Sequence, residues 1–350
     1  MEETSGQLAP KVLLIIGNGF DLDIGLKTRY IDFVKSEDFK PMIDGNHSKY
    51  DYFHDFVTNK NKMQICPNGL ANFVKKEEEE RKWVDLEIDI RDYCLLHESE
   101  TNSEAIRKEL FALRYFLFKY IQSEKCKLKI DNNFHTKRAA YIVIEKLVEY
   151  NADYNIWNFN YTETCEKIFR HKNVPEETIR NHIHYPHGSI SEGAKKEFPS
   201  IVLGTRYDSK EFKVCPDAIK ANMKSNYKEM MNLFQEQLMD ANVILIFGHS
   251  MGDTDSQYFK KTLKASENLK IIANINYTDS KCNEVKININ NISDDTFMPR
   301  LEDGEIEYLS FSTEGLVEKY NYLNEHKEAE LNAFLKHCFT YDYSNLRLDV

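Results

Sequence analysis

The feature that most restricts this chain is an unbroken apolar run, Val12-Leu13-Leu14-Ile15-Ile16, that ends in Gly17-Asn18-Gly19. A run with no polar alternation suits a strand covered on both faces, as in a parallel sheet held between helices. Glycines directly after such a strand permit positive φ and close backbone approach, and a helix that follows presents its first amides to an anion. The combination predicts an α/β protein with a phosphate-type loop at its first strand end. A tight turn without a ligand is the structural alternative.

Further apolar segments extend the sheet: Tyr154 to Phe159, Ser200 to Leu203, Asn242 to Phe247 and Leu269 to Ile275 are each predicted strands. Helical text separates them. Thr28 is the expected cap of a short helix with Tyr30, Phe33 and Val34 on one face, and Trp83, Leu86, Glu87, Ile90 and Cys94 share a face of another. Ala105 to Glu149 and Asn226 to Met239 read as helical, and Thr313 to Phe339 as a helix pair. We therefore expect one α/β domain over residues 1–350, with a helical insertion at 36–150 and C-terminal helices at 313–340.

Composition removes several function classes. A net charge of −11 argues against a nucleic-acid groove or an anionic membrane surface as the main partner. No apolar run approaches the roughly 18 residues needed to span a bilayer, and the seven cysteines are scattered without a C-x-x-C pair. The expectation is a cytoplasmic protein with neither structural zinc nor a disulfide framework.

Candidate chemistry concentrates where predicted strands end. Asn160 closes Tyr154 to Phe159, and open α/β sheets bind ligands beyond the carboxyl ends of their strands. Glu87, a carboxylate on an apolar stripe, suits a general acid or a ligand hydroxyl, with an ion pair at the helix edge as the alternative. His182, His184 and His187 fall close together, but Pro186 interrupts them and no partnering cysteine or carboxylate motif makes them a metal site. His187 beside Gly188 instead suits a base in a cleft. Gly248-His249-Ser250-Met251-Gly252 matches the nucleophile elbow of serine hydrolases, for which Asp294 or Asp295 and His326 or His337 would complete a triad. Asp253 with Asp255 is the late carboxylate pair that a metal-dependent nucleotide hydrolase would use.

Taken in order, these segments resemble known families. Gly17-Asn18-Gly19-Phe20-Asp21 followed by Gly25-Leu26-Lys27 is similar to the sirtuin opening G-A-G-x-S-x-x-x-G-I-P, with Asp21 in place of Ser and Lys27 in place of Pro. Asn160-Tyr161, His187-Gly188, Gly248-His249-Ser250 and Asn276 then follow in the sirtuin order, with Thr162 where that pattern has Asp. The whole set closely resembles the AbiH family of bacterial abortive-infection proteins, through IIGNGFDL, the W-x-x-L-E segment, NFNYT, IHYPHGS and GHSMGDTD.

What the resemblance implies is a Rossmann-like, sirtuin-like parallel sheet flanked by helices, acting in antiphage defence, with an NAD-type ligand and no metal. Gly17, Asn18 and Gly19 would hold a diphosphate, Ser250 and Asn276 would lie along the adenosine half, and Asn160 would orient water and the nicotinamide ribose. His187 would act as base, and Asp21 or Glu87 would stabilise an oxocarbenium-like centre. Phe20, Gly25, Tyr161, Gly188, Gly248, His249 and Asp255 complete the implied ligand-binding set. The expected activity is hydrolysis of NAD to nicotinamide and ADP-ribose. A non-catalytic nucleotide or ADP-ribose sensor is the main alternative, and a phage-derived trigger protein and a homo-oligomer are the partners considered.

Overall fold

The structure is a computed structural model, and it describes residues 11–44, 69–81, 85–97, 103–129, 138–149, 151–193, 201–204, 226–250, 255, 258, 271–277 and 307–312. The chain divides into two compact units. The first comprises residues 1–26, 128–186 and 229–350; the second comprises 27–127 and 187–228.

The first unit is built on a parallel sheet. Its strands are β1 (Lys11–Ile16), β2 (Asp153–Asn158), β3 (Ile183–His184), β4 (Val243–Phe247), β5 (Ile271–Asn276) and β6 (Glu307–Ser312). They lie side by side in the order β3-β2-β1-β4-β5-β6, every neighbouring pair parallel. The order reverses between β1 and β4, so connections leave these two strands toward opposite edges, the place where open α/β sheets bind ligands. Register makes those ends level: Ile16 lies opposite Asn158 on one side and Phe247 on the other.

Helices cover this sheet on both faces, which is why β1 and β4 carry no polar alternation. Val12, Leu14 and Ile16 join Ile156, Leu245, Phe247 and Ala273 in one core, which α7 (Ala139–Glu149) and α8 (Thr164–His171) complete through Ile142, Val143, Ile168 and Phe169. Residues of opposite parity turn to the other face. There the Trp157 indole donates to Gln237 Oε1 at 2.7 Å, and its ring meets Phe234 edge-on at 4.8 Å, both on α11 (Tyr227–Asp240). Two shorter helices, α1 (Asn18–Asp23) and α9 (Glu176–His182), complete the description of this unit.

The second unit is helical: α2 (Tyr30–Val34), α3 (Lys40–Asp44), α4 (Gly69–Arg81), α5 (Leu86–Leu96), α6 (Ser103–Lys127) and α10 (Ile190–Gly193). Phe33 is fully buried in it, 5.2 Å from the Phe39 ring and 5.5 Å from Tyr120. The buried Arg114 guanidinium donates twice to the Leu203 carbonyl, at 3.2 and 3.1 Å.

Several sequence expectations are corrected. Residues 201–203 are buried but form no strand; Val202 N–H donates to His187 O at 2.7 Å, within the helical unit. Thr28 does not cap the following helix, whose N-cap is Arg29, with no side-chain bond. The stretch from Ala105 to Glu149 is mostly helical where described, as expected, but it is shared between the units: α6 ends at Lys127 in one and α7 packs on the sheet of the other. Trp83 and the C-terminal helices expected at 313–340 lie outside the described residues.

Candidate functional site

Three strand ends define the candidate site, and the sheet ladder carries on into the loops beyond them. Gly17 N–H donates to Phe247 O at 2.9 Å, Phe159 N–H to Ile16 O at 2.9 Å, and Gly248 N–H to Ile275 O at 2.8 Å. The turns after β1 and β4 are consequently pressed together. A Cβ on Gly17 would fall 2.4 Å from His249 Cα, one on Gly19 would fall 2.5 Å from Gly248 Cα, and Gly248 itself has φ +59°. No side chain fits between these turns, and the Gly19 amide donates to Gly248 O at 3.0 Å.

The wide spacing from Gly19 to Gly25 has a local cause. Helix α1 occupies Asn18–Asp23, and Gly25, with φ +91°, follows its C-cap Ile24. Gly25 N–H bonds to Leu22 O at 2.9 Å and Leu26 N–H to Asp21 O at 3.0 Å, the paired bonds of a Schellman stop. The six-residue gap is thus the length of one short helix.

Beyond β2 the chain folds on its own amides. Asn158, with no exposed surface, accepts from Asn160 N–H at 3.0 Å and donates from Nδ2 to Thr162 O at 3.0 Å, an Asx turn that fixes the loop. Asn160 is buried and its Nδ2 donates to Gly17 O at 2.9 Å, joining the β2 loop to the glycine turn. Asp21, on α1, accepts from the Thr162 and Thr164 hydroxyls, each at 2.6 Å. Burial pushes the Asp21 carboxyl up to about 6, against the pull of those two bonds. Next in the chain, the buried Cys165 thiol is raised by desolvation, and burial lifts Glu166 to about 7.

Across β4, His249 and Asp255 are both buried, with Nε2 and Oδ2 3.5 Å apart. The His249 ring meets Phe159 edge-on at 4.5 Å, and Phe159 in turn meets Tyr258 at 5.2 Å. Ser250 is exposed, and it is not among the residues with positive φ; the left-handed conformation falls on Gly248. This is unlike the strained serine of a nucleophile elbow. Asn276 is the last residue of β5, opposite Ser312.

The first unit therefore brings together Gly17, Gly19, Phe20, Asp21, Asn160, Tyr161, Gly248 and His249 at one end of the sheet. Glu87 and His187 belong to the helical unit. Glu87 is buried in the first turn of α5, where Asp85 caps the helix by accepting from Glu87 and Ile88 N–H, and a helix N-terminus favours a carboxylate. His187 is buried beside Gly188, whose φ is +75°. Among the other histidines, His182 Nδ1 lies 2.7 Å from Tyr154 O and the His184 ring lies tilted against Trp157 at 4.9 Å, both inside the sheet unit. Among the described residues, no three His, Cys, Asp or Glu side chains are grouped to hold a metal ion, and no helix is long and apolar enough to cross a membrane.

Asn158, Thr164 and Glu166 were not singled out from sequence. The signal for Asn158 was present, since Asn-x-Asn at a strand end is an Asx-turn pattern; Glu166 becomes notable only once burial is known.

An all-parallel α/β sheet with buried amide, hydroxyl and carboxylate groups gathered at its central strand ends defines the class of protein. Compared with protein families, the chain matches bacteriophage abortive infection AbiH over residues 42–277. The chain belongs to the AbiH family, and its role is in phage abortive infection. That match takes in β2 to β5 and begins after the glycine turn of β1. No curated protein matches the chain.

Proposed function

We propose that this AbiH protein binds an NAD-type dinucleotide at the carboxyl ends of β1, β2 and β4 and hydrolyses it to nicotinamide and ADP-ribose, depleting the infected cell. The observation that carries the reading is Asn160, buried and tied to Gly17 O, beside the point where strand order reverses. The order 3-2-1-4-5-6 is that of doubly wound dinucleotide-binding sheets, whose ligands lie across this reversal. A sirtuin-like identity for the sheet belongs to the same proposal.

The dinucleotide lies across the rim of the two glycine turns, since the turns themselves are in contact. Its diphosphate rests on the outer edge of those turns, and Asn160 exchanges Gly17 O for the ribose or the attacking water. As the glycosidic bond breaks, positive charge builds at the ribose carbon, and a fixed carboxylate offsets it. Asp21 is the carboxylate that the sheet unit supplies for this role. The protein acts without a resident metal.

A non-catalytic sensor of a nucleotide or ADP-ribose is the second reading. It is favoured by one observation: the Gly17, Gly19 and Phe20 amides are all engaged within the chain. Total NAD measured through an infection separates the two. Cells expressing the wild type lose NAD before lysis and cells expressing Asn160→Ala keep it if the hydrolase reading holds; protection from phage with NAD unchanged supports the sensor.

A further inference from the structure

We propose that Asn158 is a positioning residue for the nucleotide site: its side chain sets Asn160 and the Asp21 carboxylate in one arrangement through the loop between them. The proposal rests on the nucleotide reading above and names the group that holds that site's amide in place.

Every bond involved lies within the sheet unit. Asn160 is more than nine-tenths buried, its Nδ2 is committed to Gly17 O, and among the described residues nothing donates to its Oδ1. That oxygen is the acceptor that a ribose hydroxyl or a water meets at the rim. Two residues earlier, Asn158 has no exposed surface and spends both ends of its amide on the loop. Its Oδ1 accepts from Asn160 N–H and its Nδ2 donates to Thr162 O, each at 3.0 Å. Thr162 then donates its hydroxyl to Asp21 Oδ2 at 2.6 Å. One side chain thus fixes the backbone on either side of Tyr161, and with it an amide and a carboxylate that belong to different strand ends. An Asx turn alone needs only the acceptor; the bond from Nδ2 is what ties the arrangement to Asp21.

The glycine turns are held by bonds of their own, Gly17 N–H to Phe247 O and Gly19 N–H to Gly248 O. Loss of the Asn158 amide therefore leaves the diphosphate platform standing and misplaces the groups that act as charge develops, which lowers kcat more than it raises KM. Asn158→Asp is the discriminating variant. Its carboxylate keeps the acceptor but meets Thr162 O without a proton; once protonated, its O–H supplies the missing donor and both bonds return. Burial favours that neutral form, so the return falls in the mildly acidic range. The Tyr185 hydroxyl faces both Asn158 and Glu166, and Asp21 and Glu166, pushed up to about 6 and about 7, titrate in the same range. Each variant is accordingly read as a ratio to wild type at the same pH.

The test measures kcat and KM for nicotinamide release from NAD by full-length wild type, Asn158→Ala and Asn158→Asp across pH. Circular dichroism checks the fold at each pH, and ADP-ribose is titrated calorimetrically alongside. At about pH 8 both variants should lose about tenfold or more in kcat with KM within about threefold. Toward about pH 5 the ratio should rise for Asn158→Asp, as its carboxyl takes up a proton, and stay low for Asn158→Ala. A purely structural role would lower the melting temperature and leave kcat of the folded protein unchanged. Wild-type kcat in folded Asn158→Asp at about pH 8, or a ratio that does not rise toward acid, overturns the proposal. A wild type that releases no nicotinamide contradicts hydrolysis itself, and ADP-ribose then decides, since in a sensor Asn160 acts only through binding. Affinity weakened in Asn158→Asp at neutral pH and regained in acid keeps the role; unchanged affinity, or no binding by the wild type, removes it.

Discussion

Thr162 donates its hydroxyl to Asp21 at 2.6 Å, closing the loop after β2 onto the helix after β1. These are two of the positions, Lys27 being another, at which the chain departs from the sirtuin pattern, and the two are bonded to each other. Where that pattern has a hydroxyl near the glycine loop and a carboxylate after the asparagine, this chain has the carboxylate first and the hydroxyl second. Thr164 adds a second bond to the same carboxylate at 2.6 Å.

The buried carboxyls give stability a defined pH dependence. Asp21 is raised from 3.8 to about 6, Asp23 from 3.8 to about 7 and Glu166 from 4.5 to about 7, burial being the largest cause in each. The folded chain keeps these protons after the unfolded chain has released its own, so stability falls as pH rises from about 4 to about 7 and levels off above. Asp21 alone accounts for about 3 kcal/mol, from its shift of 3.8 to about 6 at roughly 1.4 kcal/mol per unit. Urea unfolding of Asp21→Asn across this range should show a shallower decline, with the variant faring relatively better at pH 7.5 than at pH 4. An unchanged slope contradicts the assignment.

Thr162→Val keeps the shape of the side chain and removes one donor from a fully buried carboxylate. We expect a loss of about 1–3 kcal/mol at neutral pH, where Asp21 is charged, and a smaller loss at pH 4.5. Chemical denaturation at the two pH values reads both.

The glycines make a graded prediction. Gly248→Ala sets a Cβ 2.3 Å from Gly19 Cα on a backbone with φ +59°, so both strain and collision apply, and we expect a cost of about 3 kcal/mol or more. Gly25→Ala, at φ +91°, meets nothing closer than an Arg138 nitrogen at 3.4 Å, so only the backbone penalty of about 1–2 kcal/mol remains. Melting temperatures of the two variants should fall in that order.

The central sheet was legible because burial on both faces writes itself as unbroken apolar text: Val12 to Ile16 and Val243 to Phe247 are strands at nearly the positions the runs mark. The glycine turns were legible as places of close approach, but not what approaches. A glycine motif reads alike whether phosphate or a second peptide fills the space, and here Gly19 meets Gly248. Residues 201–203 look like a strand because buried loops share its composition. The partnership of Asp21 with Thr162 spans 141 positions and has no local signature.

Nicotinamide release from NAD by purified protein, with Asn160→Ala beside the wild type and in lysate from phage-infected cells as well as buffer, tests the central claim most directly. The account predicts release by the wild type, in the lysate if a trigger is required, and its loss in Asn160→Ala with the fold intact by circular dichroism. Release that survives the substitution, or a wild type that neither releases nicotinamide in either setting nor melts higher with NAD or ADP-ribose, contradicts it.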